Sequence, residues 1–165
     1  MINKVLTDKL NSLFRHSINF IDREGLEVTF EKNSPATFQE ISSLSKDPEI
    51  KIPKDYLDFL QLFDGCRLFK YQDLGGFEFF GTKDIRKETE LQRQTYEEDW
   101  DENLTVFCRL ICDGDFISFR NKSDGSYDIL DCYHDDIPAN WTTITNSLDN
   151  FLESLIDEKG KRYWL

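Results

Sequence analysis

Three short apolar runs near the middle of the chain, joined by two glycine-bearing turns, constrain the fold more than any other feature. They are Leu104-Thr-Val-Phe-Cys-Arg-Leu-Ile111, Phe116-Ile-Ser-Phe119 and Tyr127-Asp-Ile-Leu-Asp-Cys-Tyr133. Their connectors, Asp113-Gly114-Asp115 and Lys122-Ser-Asp124-Gly125, have hairpin turn chemistry, because glycine enters the left-handed region without steric cost. Runs of this length at this spacing predict an antiparallel meander.

Elsewhere the apolar period is helical. From Ile2 to Ile21 the residues Ile2, Val5, Leu6, Leu10, Leu13, Phe14, Ile18 and Ile21 recur every three or four positions. This predicts one amphipathic helix within residues 1–24, ended by Gly25. Leu26 to Phe30 alternates as a short strand would. Ser34-Pro35 predicts a second helix, with Ser34 as N-cap, Pro35 in the first position, and Phe38, Ile41 and Leu44 on its buried face. Ile52-Pro53 opens a third, whose Tyr56, Phe59, Leu60 and Phe63 share a face and which Asp64-Gly65 closes with a left-handed cap. Arg67 to Phe69 and Phe77 to Phe79 read as strands around Asp73-Leu-Gly75-Gly76. Asp84 caps a helix from Ile85 to about Tyr96, and Asn146 or Ser147 caps a last one built on Leu148, Phe151, Leu152, Leu155 and Ile156. Helices early, strands in the middle and a closing helix predict a single α+β domain with a mostly antiparallel sheet over residues 1–165.

Charge limits the partners. With 32 acidic and 20 basic residues the net charge is −12. That argues against nucleic acid, whose phosphates need a basic field, and against anionic membrane surfaces. A basic protein partner is allowed. No apolar run approaches the roughly 18 residues of a membrane span, and the N-terminus lacks the apolar core of a signal peptide. The expected location is therefore cytoplasmic. The four cysteines, Cys66, Cys108, Cys112 and Cys132, do not form a secreted disulfide framework. The sequons at Asn103, Asn121 and Asn140 would not meet the glycosylation machinery.

Familiar catalytic and metal patterns fail on residue type or spacing. Cys108 and Cys112, if both lie on a strand, are about 13 Å apart, beyond the reach of one tetrahedral zinc. Cys132 and His134 could share a strand face, but no second ligand pair is evident. Asn121 to Asp128 faintly resembles a calcium loop, yet Arg120 and Lys122 fall where oxygen ligands are needed. No Gly-x-Ser-x-Gly elbow or phosphate loop occurs. His16 lies on the polar side of the first helix. His134, beside Asp135 and Asp136, could be a carboxylate-poised base or simply part of a surface turn. No metal, cofactor or catalytic residue is expected.

Charge is unevenly spread. From Glu88 to Asp136 there are 14 acidic and four basic residues. Within this stretch Tyr96-Glu-Glu-Asp-Trp100-Asp-Glu102 interleaves aromatics with acids, as a protein interface with an anchor and a charged rim would. The alternative is a solvated connector whose Tyr96 and Trp100 fold back on the body.

Pro35-Ala36-Thr37, then Ile52-Pro53-x-x-Tyr56-x-x-Phe59-Leu60 and Asp64-Gly65, resemble the signature of the SUKH superfamily of the Smi/Knr type. Gly76-Phe77-Glu78-Phe79-Phe80, the strand–Asp-Gly–strand order and the closing Ser147-Leu-x-x-Phe151-Leu152 helix are similar too. The resemblance runs from about Pro35 to Ile156. Asp64 departs from the commoner Asn, and Cys66 stands where a second glycine is frequent. The resemblance implies a sheet of about six strands surrounded by helices, without catalytic activity. Bacterial members are typically immunity proteins that neutralise a toxin domain, often a nuclease; fungal members are interaction scaffolds. The expectation is an immunity protein whose partner-binding residues are Glu97, Glu98, Asp99, Trp100, Asp101 and Glu102. Trp100 would be the anchor, with Asp113 and Asp115 as secondary contacts. The alternative is a scaffold module with an endogenous partner.

Overall fold

In the computed structural model, which describes residues 1–16 and 20–165, every strand pairs antiparallel with the next one along the chain. The sheet therefore grows in sequence order as β1 (Phe20–Ile21), β2 (Glu27–Lys32), β3 (Cys66–Tyr71), β4 (Gly75–Phe79), β5 (Leu104–Leu110), β6 (Phe116–Asn121), β7 (Tyr127–Cys132) and β8 (Thr142–Thr145). The helices are α1 (Lys4–Arg15), α2 (Phe38–Ser45) and α3 (Lys54–Leu60), both between β2 and β3, α4 (Ile85–Tyr96) between β4 and β5, and α5 (Leu148–Asp157). Eight strands replace the six or so expected, and all their pairings are antiparallel. The α+β class and the central meander stand as predicted. Gly114 (φ +94°) and Gly125 (φ +85°) sit in the two hairpin turns, in the left-handed conformation those turns require.

The main core lies on one face of the sheet and is aromatic. Tyr56 of α3 is fully buried against Phe59, Phe107 and Phe119, and the Phe107 and Phe119 rings stack 3.9 Å apart. Phe151 of α5 closes over Phe79 and Phe107. The Tyr56 hydroxyl satisfies itself on main-chain carbonyls, 2.7 Å from that of Phe80 and 3.1 Å from that of Phe107. This fastens α3 to the point where the chain leaves β4. The opposite face is covered in part by α4, whose Thr89 hydroxyl accepts the Val106 N–H at 3.0 Å beside a bulge in β5. Next to it Tyr96, Trp100, Phe116 and Trp141 form a second aromatic cluster.

Several local expectations are corrected. The first helix ends at Arg15; Phe20 and Ile21 belong to β1 and pair with Val28 and Glu27, while Ile18 lies outside the described residues. The second helix starts not at Ser34-Pro35 but at Phe38. Thr37 is its N-cap, in a capping box with Glu40. The shift turns Phe38 outward, 85% exposed, while Ile41 and Leu44 stay buried. Ser34 and Ala36 instead bind the end of α3, through Asp64 N–H to Ser34 C=O (3.2 Å) and Ala36 N–H to Leu60 C=O (2.9 Å). Gln61, not Asp64-Gly65, caps α3. Gly65 is required a few residues later: at φ +84° its backbone passes so close to β4 that a Cβ would lie 2.8 Å from the Phe79 oxygen. Asp64 has its own task, accepting the Thr82 N–H at 2.6 Å and the Thr82 hydroxyl at 3.0 Å. Cys112 is in the β5–β6 turn at φ +63°, not on the strand with Cys108.

Candidate protein-binding surface

The acidic run is shaped by what flanks it. Helix α4 ends at Tyr96, Glu97 takes φ +45°, and Glu97–Asp99 form one turn of 3-10 helix before the chain enters β5. The turn is fixed from below. Trp100 is only 8% exposed, with its ring against Tyr96 (6.5 Å between centroids) and Trp141 (6.4 Å). Tyr96 and Trp100 therefore fold back on the body, and Trp100 is not the exposed anchor that the sequence suggested. Apolar surface buried this way is unavailable to a partner; it serves as the pedestal of the run.

The carboxylates divide into three groups. Glu97, Glu98 and Asp99 are exposed and make no ion pair among the described residues. Asp101 and Glu102 are committed to neighbours: Asp101 lies 3.6 Å from Arg120 and caps the Asn103 N–H, and Glu102 lies 3.0 Å from Arg93. Asp113 and Asp115 belong to a separate cluster at the β5–β6 turn. There the Arg162 guanidinium reaches Asp115 (3.0 Å), Asp131 (3.1 Å) and Asp113 (3.5 Å). Asp115, 2% exposed, is an internal group and not a surface contact.

Asp115 also holds His134. One carboxylate oxygen accepts both the His134 main-chain N–H (3.0 Å) and its ring Nδ1–H (2.7 Å). His134 is thereby a fixed post for the β7–β8 loop, and its carbonyl accepts the Tyr96 hydroxyl at 3.1 Å. Of the two candidate partners in sequence, Asp135 is further away at 3.5 Å and Asp136 bonds Ile137 and Asn140 instead. The Asp115 bond, with Asp135 and Asp113 nearby, raises the His134 pKa against a smaller opposing effect of burial. Burial would push the Asp115 carboxyl up, but the bonds from His134 and Arg162 prevail and hold it below its usual value.

The signs of these shifts set a pH dependence. A raised histidine pKa contributes stability that is complete below the unfolded value, near 6.5, and is lost as pH rises through the folded value. Urea midpoints of the native chain are expected to fall between about pH 6 and pH 8, and His134→Gln to flatten that slope. An identical slope in the variant would assign the dependence to other groups.

Asp113, Asp115 and His134 could bring one ligand atom each within 4.8 Å of one another, the one such metal-capable group among the described residues. Arg162 already supplies the positive charge there, so the donor set is that of an ion-paired brace. A cleft of about 460 Å³ between α4 and the β5–β6 turn is lined by Phe80, Leu91, Arg109 and Asp115, but not by His134. Glu31, Arg67, Glu78 and Arg109 form an alternating ladder of ion pairs across β2 to β5.

An eight-stranded antiparallel meander packed on helices defines an α+β domain with a charged surface. The model of the SMI1 / KNR4 family (SUKH-1) matches residues 35–154, most of the chain, and the protein belongs to that family. Membership is consistent with an immunity-protein role, and the family is generally non-enzymatic. No curated protein matches the chain. Among the described residues no helix is long and apolar enough to cross a membrane. Sequence reasoning missed Arg162. Arg162 stands in a short basic tail, Lys159-Gly-Lys-Arg162, that carries no periodicity to show what it faces.

Proposed function

We propose that this protein is a cytoplasmic immunity protein that neutralises a toxin domain, most simply a nuclease, by stoichiometric binding. The observation that carries this reading is the unpaired acidic turn Glu97–Asp99, held rigid on a buried aromatic pedestal in a chain of the SMI1 / KNR4 family. A nuclease cleft is basic because it must attract phosphates. An acidic surface competes for that cleft and speeds encounter with it. Asp101 and Glu102 extend the rim, while Asp115 supports it from behind through His134 and Asp113 pairs with Arg162. No catalytic step and no cofactor enter this mechanism.

Co-expression with the product of the adjacent gene tests it. Survival of cells carrying a lethal neighbour, together with a 1:1 complex on size exclusion, is the expected result. A harmless neighbour and no complex would overturn the reading and favour a scaffold role with an endogenous partner.

A further inference from the structure

Resting on that reading, we propose that the apolar anchor of the interface is the β7–β8 loop, through Tyr133 and Ile137. These side chains would enter recesses beside the basic cleft of the partner protein, while Glu97, Glu98 and Asp99 face the cleft itself. The two side chains are 49% and 42% exposed, and, unlike the other exposed apolar side chains, they flank the acidic pair Asp135-Asp136. The loop is tied to the aromatic pedestal that also carries the acidic turn: Tyr96 donates to the His134 carbonyl at 3.1 Å and the Trp141 indole N–H donates to the Tyr133 carbonyl at 3.1 Å. Aromatic anchor and acidic rim thus come from separate parts of the chain.

The loop is pre-organised for such a role. Asp136 accepts the Ile137 N–H and the Asn140 amide at 2.8 Å each, the Asp136 N–H returns to the Tyr133 carbonyl at 3.1 Å, and the Tyr133 hydroxyl donates to Asp135 at 3.1 Å. His134 is pinned to Asp115 from beneath. A tip whose polar groups are satisfied internally loses little conformational freedom on binding, so its exposed apolar area converts efficiently into affinity. The surrounding charge selects the occupant. Glu97, Glu98 and Asp99, exposed and without an ion pair among the described residues, repel acidic surfaces and favour a basic one.

Dissociation kinetics with the purified toxin domain encoded by the adjacent gene test the assignment. Tyr133→Ala combined with Ile137→Ala should accelerate dissociation by about 30-fold, the size of a hot-spot loss, and change association by less than about threefold. Ile137→Asp alone removes apolar contact while adding charge of the favourable sign. It should also speed dissociation, and it guards against a double variant that unfolds. Unchanged dissociation in both, alongside tight binding by the native chain, would overturn the anchor and leave the immunity reading standing. Failure of the native chain to bind would overturn both.

Discussion

Arg162→Met is expected to lower the unfolding free energy by about 3 kcal/mol near neutral pH, the range seen when one partner of a buried ion pair is removed. The substitution keeps the unbranched apolar stem of the side chain and deletes the cation. Asp115 and Asp131, both buried, then face each other's charge with only His134 to compensate, and Asp113 loses its contact at the rim. The sign of the pH dependence separates this from lost packing. In the native chain the Asp115 carboxyl titrates below its usual value, so its contribution is present above the unfolded pKa and lost as pH falls through the folded one. In the variant the Asp115 carboxylate loses the Arg162 bond that offset its burial, so its folded pKa rises and acidification relieves it. The stability gap between the two proteins should therefore be widest near neutral pH and narrow towards about pH 4 in urea titrations. Asp131→Asn added to the variant should recover part of the loss. A gap of under about 1 kcal/mol at neutral pH, the range of an exposed pair, would show that the cluster is wet enough to be neutral.

What the sequence discloses follows from how locally each feature is determined. The β5–β6–β7 meander and α3 are legible because their apolar period and turn residues are contiguous. Strand β1 is hidden because Phe20 and Ile21 continue the helical spacing of the preceding stretch, and a two-residue strand offers no alternation to set against it. Strand β8, Thr142-Thr-Ile-Thr145, contains one apolar residue and exists by pairing with β7. The start of α2 was legible but obscured: the Thr37-x-x-Glu40 capping box is present in the sequence, and the Ser34-Pro35 pair ahead of it is an equally good local start. At the functional surface, charge was readable and burial was not. Trp100 lies among acids, yet its neighbour Trp141 comes from a distant part of the chain. Asp113 and Asp115 look alike in sequence, and only the approach of His134 and Arg162 makes one internal and leaves the other at the surface.

The second large effect belongs to the rate of encounter. Substituting Glu97→Lys, Glu98→Lys and Asp99→Lys together should slow association with a basic toxin domain by about 100-fold at low salt, within the range that electrostatic steering provides. The native association rate should fall steeply as salt approaches about 0.15 M, and the variant should lose that dependence, because exposed charges are screened beyond roughly 8 Å there. Stability should barely change, since these three carboxylates make no ion pair among the described residues and lie exposed on a turn fixed by Trp100. Asp101→Lys with Glu102→Lys provides the contrast. It places like charges against Arg120 and Arg93, so it should weaken folding as well as association. The two variants together separate steering from structure: a loss of rate without loss of stability locates the encounter surface at Glu97–Asp99. An unchanged rate in the triple variant would remove that turn from the interface, whatever the effect of the pair beside it.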